Sequence, residues 1–200
     1  MSLAISVTNI IDDVDLILQL TTIASMDKHR NAVNYENFGA RIKNYKAFYV
    51  VKEDETYLAM SGIYQGDHWD KDLARIGDRN YYFPIARSKT LGFKAANGYT
   101  AYNSDYLVPT QKEWCLENGI TNIFLSIQEI NRRPALQKML KYQKSKGNFD
   151  FAMLKDMYYT CNEKYNPNVY NPKCWQSVIS YKGKDINLPK IPIESIKNVV

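Results

Sequence analysis

Histidines, the side chains best suited to move a proton near neutral pH, number two in this chain and are widely spaced. His68 is one of two histidines in 200 residues and stands in DHWD, a turn-like run. Its ordinary proton affinity suits a general base. Glu129 closes the apolar run TNIFLSIQE, two residues before Asn131. From there it would assist deprotonation of an amine through water, or stay a surface carboxylate. Asn131 opens NRRPALQKML, where its side chain would cap a helix amino terminus. RIGDR, residues 75–79, sets two arginines and a carboxylate in a strand-like run. Strict alternation would put Arg75 and Arg79 on one side and Asp78 on the other, where Arg79 or Asp78 would line an acceptor cleft or face solvent. No Ser/His/Asp or Cys/His spacing offers an activated nucleophile. Cys115, Cys161 and Cys174 follow no CxxC spacing, so they read as buried thiols, with neither a disulfide framework nor a metal site expected.

The elements that must position these residues follow from periodicity. LAISVTNI reads as an edge strand. IDDVDLILQLTTIASMDKH reads as a helix, with Asp12 and Asp13 at its amino end and Val14, Ile17, Leu18, Thr21 and Ile23 or Ala24 as its apolar line. Residues 30–45 read as loop with one short helix. AFYVVKED and TYLAMSGIYQG are β-branched and aromatic runs separated by Asp54 and Glu55, a hairpin pattern. Residues 73–87 give a further strand with Gly77 as a bulge, and Pro84 limits its ladder. Residues 88–104, SKTLGFKAANGYTAYNS, lack a period and form a long loop.

A helix follows, starting at Asp105 with Pro109 in its first turn or at Thr110 with the Thr110–Glu113 capping box. Leu107, Gln111, Trp114, Cys115 and Asn118 share one face of it, and Gly119 stops it. TNIFLSIQ reads as a strand buried on both faces through Ile123, Phe124 and Leu125. A helix over 131–146 and strands in 150–161 and 174–183 complete the order. This predicts an α/β fold with a mixed, mostly antiparallel central sheet flanked by helices. Residues 105–146 supply at least one parallel crossover.

This order, and the phrase WCLENGITNIFLSIQEINRRPALQKML, resembles the GNAT superfamily of N-acetyltransferases, an acyl-CoA N-acyltransferase-like fold. The hairpin AFYVVKEDETYLAMSGIY resembles that family's second and third strands, and ARIGDRNYYFPIARS its fourth. The resemblance runs over about residues 3–182 and implies one domain, 1–184, with a tail, 185–200. It implies direct acetyl transfer from acetyl-CoA to an amine on a small molecule or peptide. The pyrophosphate would lie against the 88–98 loop, with Arg87, Lys89, Gly92, Lys94 and Asn131 binding the cofactor. Tyr142 would protonate the departing thiolate, or pack in the core beside Ala135 and Met139. His68, Glu129 or water would take the amine proton. The loop RSKTLGFKA departs from the family's phosphate-loop spacing, and GNF stands where the family has Gly-Phe. An alternative is therefore a non-catalytic binding or accessory domain on the same scaffold.

Bulk properties narrow the partners. The net charge is +5, and the longest basic cluster is the seven-residue KYQKSKG. A weak positive charge and 16 tyrosines permit a nucleic acid, but no recognition motif appears, so nucleic acid is not the expected partner. No apolar window reaches a membrane span of ~20 residues, and MSLAISV lacks a signal-peptide pattern. The expected compartment is the cytoplasm, with no membrane partner and a homodimer as the oligomer to test for.

Overall fold

The computed structural model describes residues 4–26, 38–67, 69–83, 105–128, 145, 151–156 and 175–180. The strands are β1 (Ile5–Asn9), β2 (Tyr45–Glu53), β3 (Thr56–Tyr64), β4 (Leu73–Tyr82), β5 (Asn122–Gln128), β6 (Phe151–Asp156) and β7 (Trp175–Ser180). The helices are α1 (Val14–Ser25), α2 (Phe38–Arg41) and α3 (Val108–Glu117), with a short 3₁₀ turn, Ile42–Asn44, leading into β2. All seven strands form one mixed sheet in the order β1-β2-β3-β4-β5-β7-β6. Among the described residues only β4 and β5 run parallel, and α3 lies between them in the chain, as a crossover requires.

Local chemistry accounts for most of these elements. Asp54 takes φ 50° in the two-residue turn between β2 and β3, a backbone state that Asp tolerates better than most residues. Asp13 caps α1 by accepting the Leu16 N–H at 2.9 Å. Gly119, at φ 75°, ends α3, and the Ile120 N–H then returns to the Cys115 carbonyl at 2.8 Å. Pro109 falls in the first turn of α3, where a missing amide costs nothing. Thr110 does not cap that helix. Its hydroxyl donates to the Tyr106 carbonyl at 2.8 Å, so the chain is already coiled before it.

Two apolar layers cover the sheet. On one face Tyr49, Val51, Leu58, Ile63, Ala74, Ile76, Ile123 and Leu125 pack with Leu107, Val108 and Cys115 of α3. On the other, Tyr45, Phe48, Val50, Met60, Tyr81 and Phe83 pack with Ile17, Leu20 and Ala24 of α1. The buried line of α1 is thus Ile17, Leu20, Thr21 and Ala24. Val14 and Leu18, expected inside, are 42% and 40% exposed, and of the alternatives Ile23 and Ala24 it is Ala24 that is buried. The helix is apolar around most of its circumference, so spacing alone could not choose the line that meets the sheet. Phe124 and Leu125 are both buried, on opposite faces of β5, as a central strand demands.

Gly62 lies under the second layer. A Cβ there would stand 2.4 Å from Tyr45 Cδ1 and 2.8 Å from Phe48 Cδ2, both buried rings. Gly62→Ala is expected to cost about 1–3 kcal/mol, the usual range for overpacking. Urea denaturation would show it as a lower midpoint at unchanged slope. An unchanged midpoint would mean that the Tyr45 ring moves aside at no cost.

Cys115 shows how dry the α3 face is. Its side chain is fully buried, and burial pushes the thiol up to about 12. Iodoacetamide at neutral pH is therefore expected to spare Cys115 in the folded chain and label it only after unfolding. Peptide mapping by mass spectrometry checks this, and rapid labelling of the native protein would contradict the burial.

Candidate functional site

β4 and β5 begin side by side and then part. Their ladder holds Leu73–Asn122, Ala74–Ile123 and Arg75–Phe124. Beyond that rung, no pair joins the two strands among the described residues. β4 runs on to Tyr82 and β5 to Gln128, so an opening develops in the middle of the sheet.

β4 changes shape where the opening starts. Ile76 and Gly77 stand opposite Ile63 alone, and Arg79 and Asn80 stand opposite Ser61 alone. These are two successive bulges, each adding one residue to β4. Gly77 takes φ 65° and Arg79 takes φ 54°. Glycine accepts that conformation readily, whereas in arginine it stores strain of about 1–3 kcal/mol. A strand bent twice in succession turns away from its parallel neighbour, which is the local cause of the opening.

The bulges are pinned from both faces. On the α3 side, the fully buried Gln111 accepts the Gly77 N–H at 2.8 Å. Its amide nitrogen donates to the Ser61 carbonyl at 3.0 Å and to the Ser61 hydroxyl oxygen at 2.8 Å. One side chain therefore pairs polar groups of both bulged segments, which buried backbone requires.

On the opposite face, Asp78 is held by two partners. Arg75 Nη2 lies 2.7 Å from its Oδ1, and the Tyr45 hydroxyl donates to its Oδ2 at 2.5 Å. Alternation had separated Arg75 from Asp78. The extra residue at Gly77 shifts the register by one and brings both to the same face, so the expectation of a solvated strand face fails here. Burial raises the Asp78 pKa, but Arg75, Arg41, the Tyr45 hydrogen bond and Arg79 outweigh it and hold the carboxyl below its ordinary value. Burial, then the Asp78 charge, pushes Tyr45 well above the usual phenol range.

Aromatic rings extend this cluster toward β5. Tyr64 meets Tyr45 at 5.5 Å and Trp69 at 5.4 Å, and Trp69 meets Phe124 at 5.5 Å. Trp69 is carried by the turn after β3, which Gln65 pins by donating to the Lys71 and Leu73 carbonyls at 2.9 and 3.0 Å. The Arg41 guanidinium sits 4.6 Å above the Tyr64 ring and that of Arg75 5.2 Å from it.

His68, Glu129, Asn131, Tyr142, Arg87, Lys89, Gly92 and Lys94 all lie outside the described residues. What the structure brings together is Tyr45, Tyr64, Arg75 and Asp78 on one face of the sheet, with Gln111 holding the bulge from the other. RIGDR carried a signal for this, and Gln111 shares a helix face with Leu107, Trp114 and Cys115 in the sequence, a face the structure buries at Gln111. Tyr45 reads as loop in the sequence but opens β2 in the structure, and Tyr64 had no sequence signal beyond its strand.

The class of fold is defined by this topology. It is a mixed α/β sheet with one parallel pair among the described residues, and solved acetyltransferase structures share this fold. No family model matches the sequence, and no curated protein matches it. Solved structures do match. An N-acetyltransferase from Staphylococcus aureus is similar at TM-score 0.57 and 13% identity, covering 89% of this chain and 97% of its own. A Bacillus subtilis acetyltransferase, solved in complex with CoA, is similar at TM-score 0.55 and 9% identity, over 89% of this chain and 98% of its own. An IAA acetyltransferase from Bacillus cereus follows at 0.53 and 10%, over 89% and 99%. At such identities the likeness is one of fold. Among the described residues no helix is long and apolar enough to cross a membrane.

Proposed function

We propose that this chain is an N-acetyltransferase that moves an acetyl group from acetyl-CoA directly to an amine. The observation that carries this reading is the opening between a doubly bulged β4 and β5 in a GNAT-type sheet. A strand edge released from its neighbour suits the amides of a pantetheine chain, which can pair with it as a further strand would. The CoA complex of the Bacillus subtilis neighbour supports an acyl-CoA donor.

In the reaction the amine nitrogen bonds to the thioester carbonyl carbon and the C–S bond breaks. The nitrogen gives up one proton and the thiolate takes one. The backbone of β4 beside the opening would donate to the carbonyl oxygen, where charge develops. Gly77 is not that donor, because its N–H is committed to Gln111. Asp78 is not the base, because both its oxygens are engaged and its proton affinity is low. The amine proton therefore goes to His68, Glu129 or water, and Tyr142 gives one to the thiolate.

Calorimetric titration with acetyl-CoA, followed by a thiol-release assay over a panel of amines, tests the proposal. Micromolar binding and amine-dependent thiol release are expected. No binding at millimolar acetyl-CoA would favour the non-catalytic alternative. Tyr142→Phe is expected to lower kcat while leaving acetyl-CoA affinity near its original value. Unchanged turnover would remove Tyr142 from the mechanism.

A further inference from the structure

Arg41 is the side chain on this face whose position the fold does not need. It ends α2 and is half-buried, with its guanidinium held over Tyr64 at 4.6 Å. It makes no ion pair among the described residues. Among the described residues, Asp78 is close enough to feel its charge, but Arg75 takes one Asp78 oxygen and Tyr45 the other. Asp67 lies at the surface, 3.9 Å from Lys43.

The location matters as much as the lack of an ion pair among the described residues. Tyr64 faces Arg75 across the β3–β4 ladder, and Arg75 forms the last rung between β4 and β5. Arg41 is thus one aromatic ring away from the point where the sheet opens. The rings of Tyr64, Trp69 and Phe124 lead from it to β5. A guanidinium stacked on a ring is fixed in orientation, and its edge N–H groups remain suited to a planar or tetrahedral oxyanion.

We propose that Arg41 recognises an anionic group, carboxylate or phosphate, on the amine that accepts the acetyl group. The inference rests on the acetyl-transfer reading for the identity of that amine, but the anion contact can be measured without turnover. The body of the acceptor would lie along the half-buried Tyr64 and Trp69 rings, with its amine toward the opening and its anion toward α2.

The test compares amines that differ only in charge. γ-Aminobutyrate is set against γ-aminobutyramide, and O-phosphoethanolamine against ethanolamine, with the full chain and its Arg41→Gln and Arg41→Lys variants. Preference for the anionic member by about tenfold or more in kcat/KM is expected, on the scale of one charge-assisted contact. Arg41→Gln is expected to bring that ratio near one, and Arg41→Lys to restore part of it. Which pair shows the larger ratio separates a carboxylate from a phosphate acceptor. Equal rates within both pairs, or a ratio untouched by Arg41→Gln, would overturn the proposal.

Calorimetric titration with γ-aminobutyrate and with O-phosphoethanolamine, without acetyl-CoA, decides the case in which no amine is acetylated. Binding that Arg41→Gln abolishes would sustain the anion site while the acetyl-transfer reading fails. Absence of binding to the original chain would sink the site itself.

Discussion

Asp78→Ala is expected to lower folding stability by about 3–5 kcal/mol, the scale for removing one member of a buried ion pair. Arg75 is 7% exposed and would lose its 2.7 Å carboxylate contact. The Tyr45 hydroxyl, also buried, would lose its acceptor. The same pair sets a pH window. The folded Asp78 carboxyl lies below its ordinary value, so below about pH 4 the unfolded chain binds more protons than the folded one. This contribution is complete above that pH and is lost on acidification. Tyr45 lies above its ordinary value, so its contribution is complete below about pH 10 and is lost as pH rises further. Stability measured by urea denaturation across pH should fall less steeply on the acid side for Asp78→Asn and on the alkaline side for Tyr45→Phe. Parallel acid limbs for Asp78→Asn and the original chain would show that the pair has no such role.

Gln111→Leu is expected to cost about 2–4 kcal/mol. The Gly77 N–H and the Ser61 carbonyl would lose their Gln111 contacts, at about 1–3 kcal/mol for each buried group left without a partner. Leucine fills nearly the same volume, so cavity formation contributes little. Gln111→Glu separates the two contacts. A carboxylate still accepts from Gly77 but cannot donate to Ser61 unless it is protonated. Burial would raise its pKa, so the Glu variant should lose stability as pH rises, over a range where the original chain stays level. Acetyl-CoA affinity should weaken in Gln111→Leu, because the β4 edge it holds borders the opening. Native stability and affinity in both variants would mean that the β3–β4 ladder holds the bulges unaided.

Order and type of elements were legible in the sequence because they depend on short-range physics. The hairpin at Asp54–Glu55, the stop at Gly119, the bulge at Gly77 and the doubly buried run Ile123–Leu125 each follow from a few neighbouring residues. The resemblance carried by the 114–140 phrase led to the right fold. The site was legible only in part. RIGDR drew attention, but its geometry was misread, since alternation cannot register how many residues a bulge inserts. The residues singled out for the chemistry itself lie outside the described residues.

The sequence by itself determined a strand–helix order compatible with one mixed sheet, because hydrophobic period and turn chemistry act over a handful of residues. Tertiary structure alone decided which polar side chains meet. Tyr45 and Asp78 are 33 positions apart, and Gln111 and Ser61 are 50 apart. Their contacts exist because two bulges bend β4 between α3 on one face and the Tyr45 ring on the other. Nothing local marks those partners, since a hydrogen bond across a sheet depends on register, and register is settled only when both faces are packed.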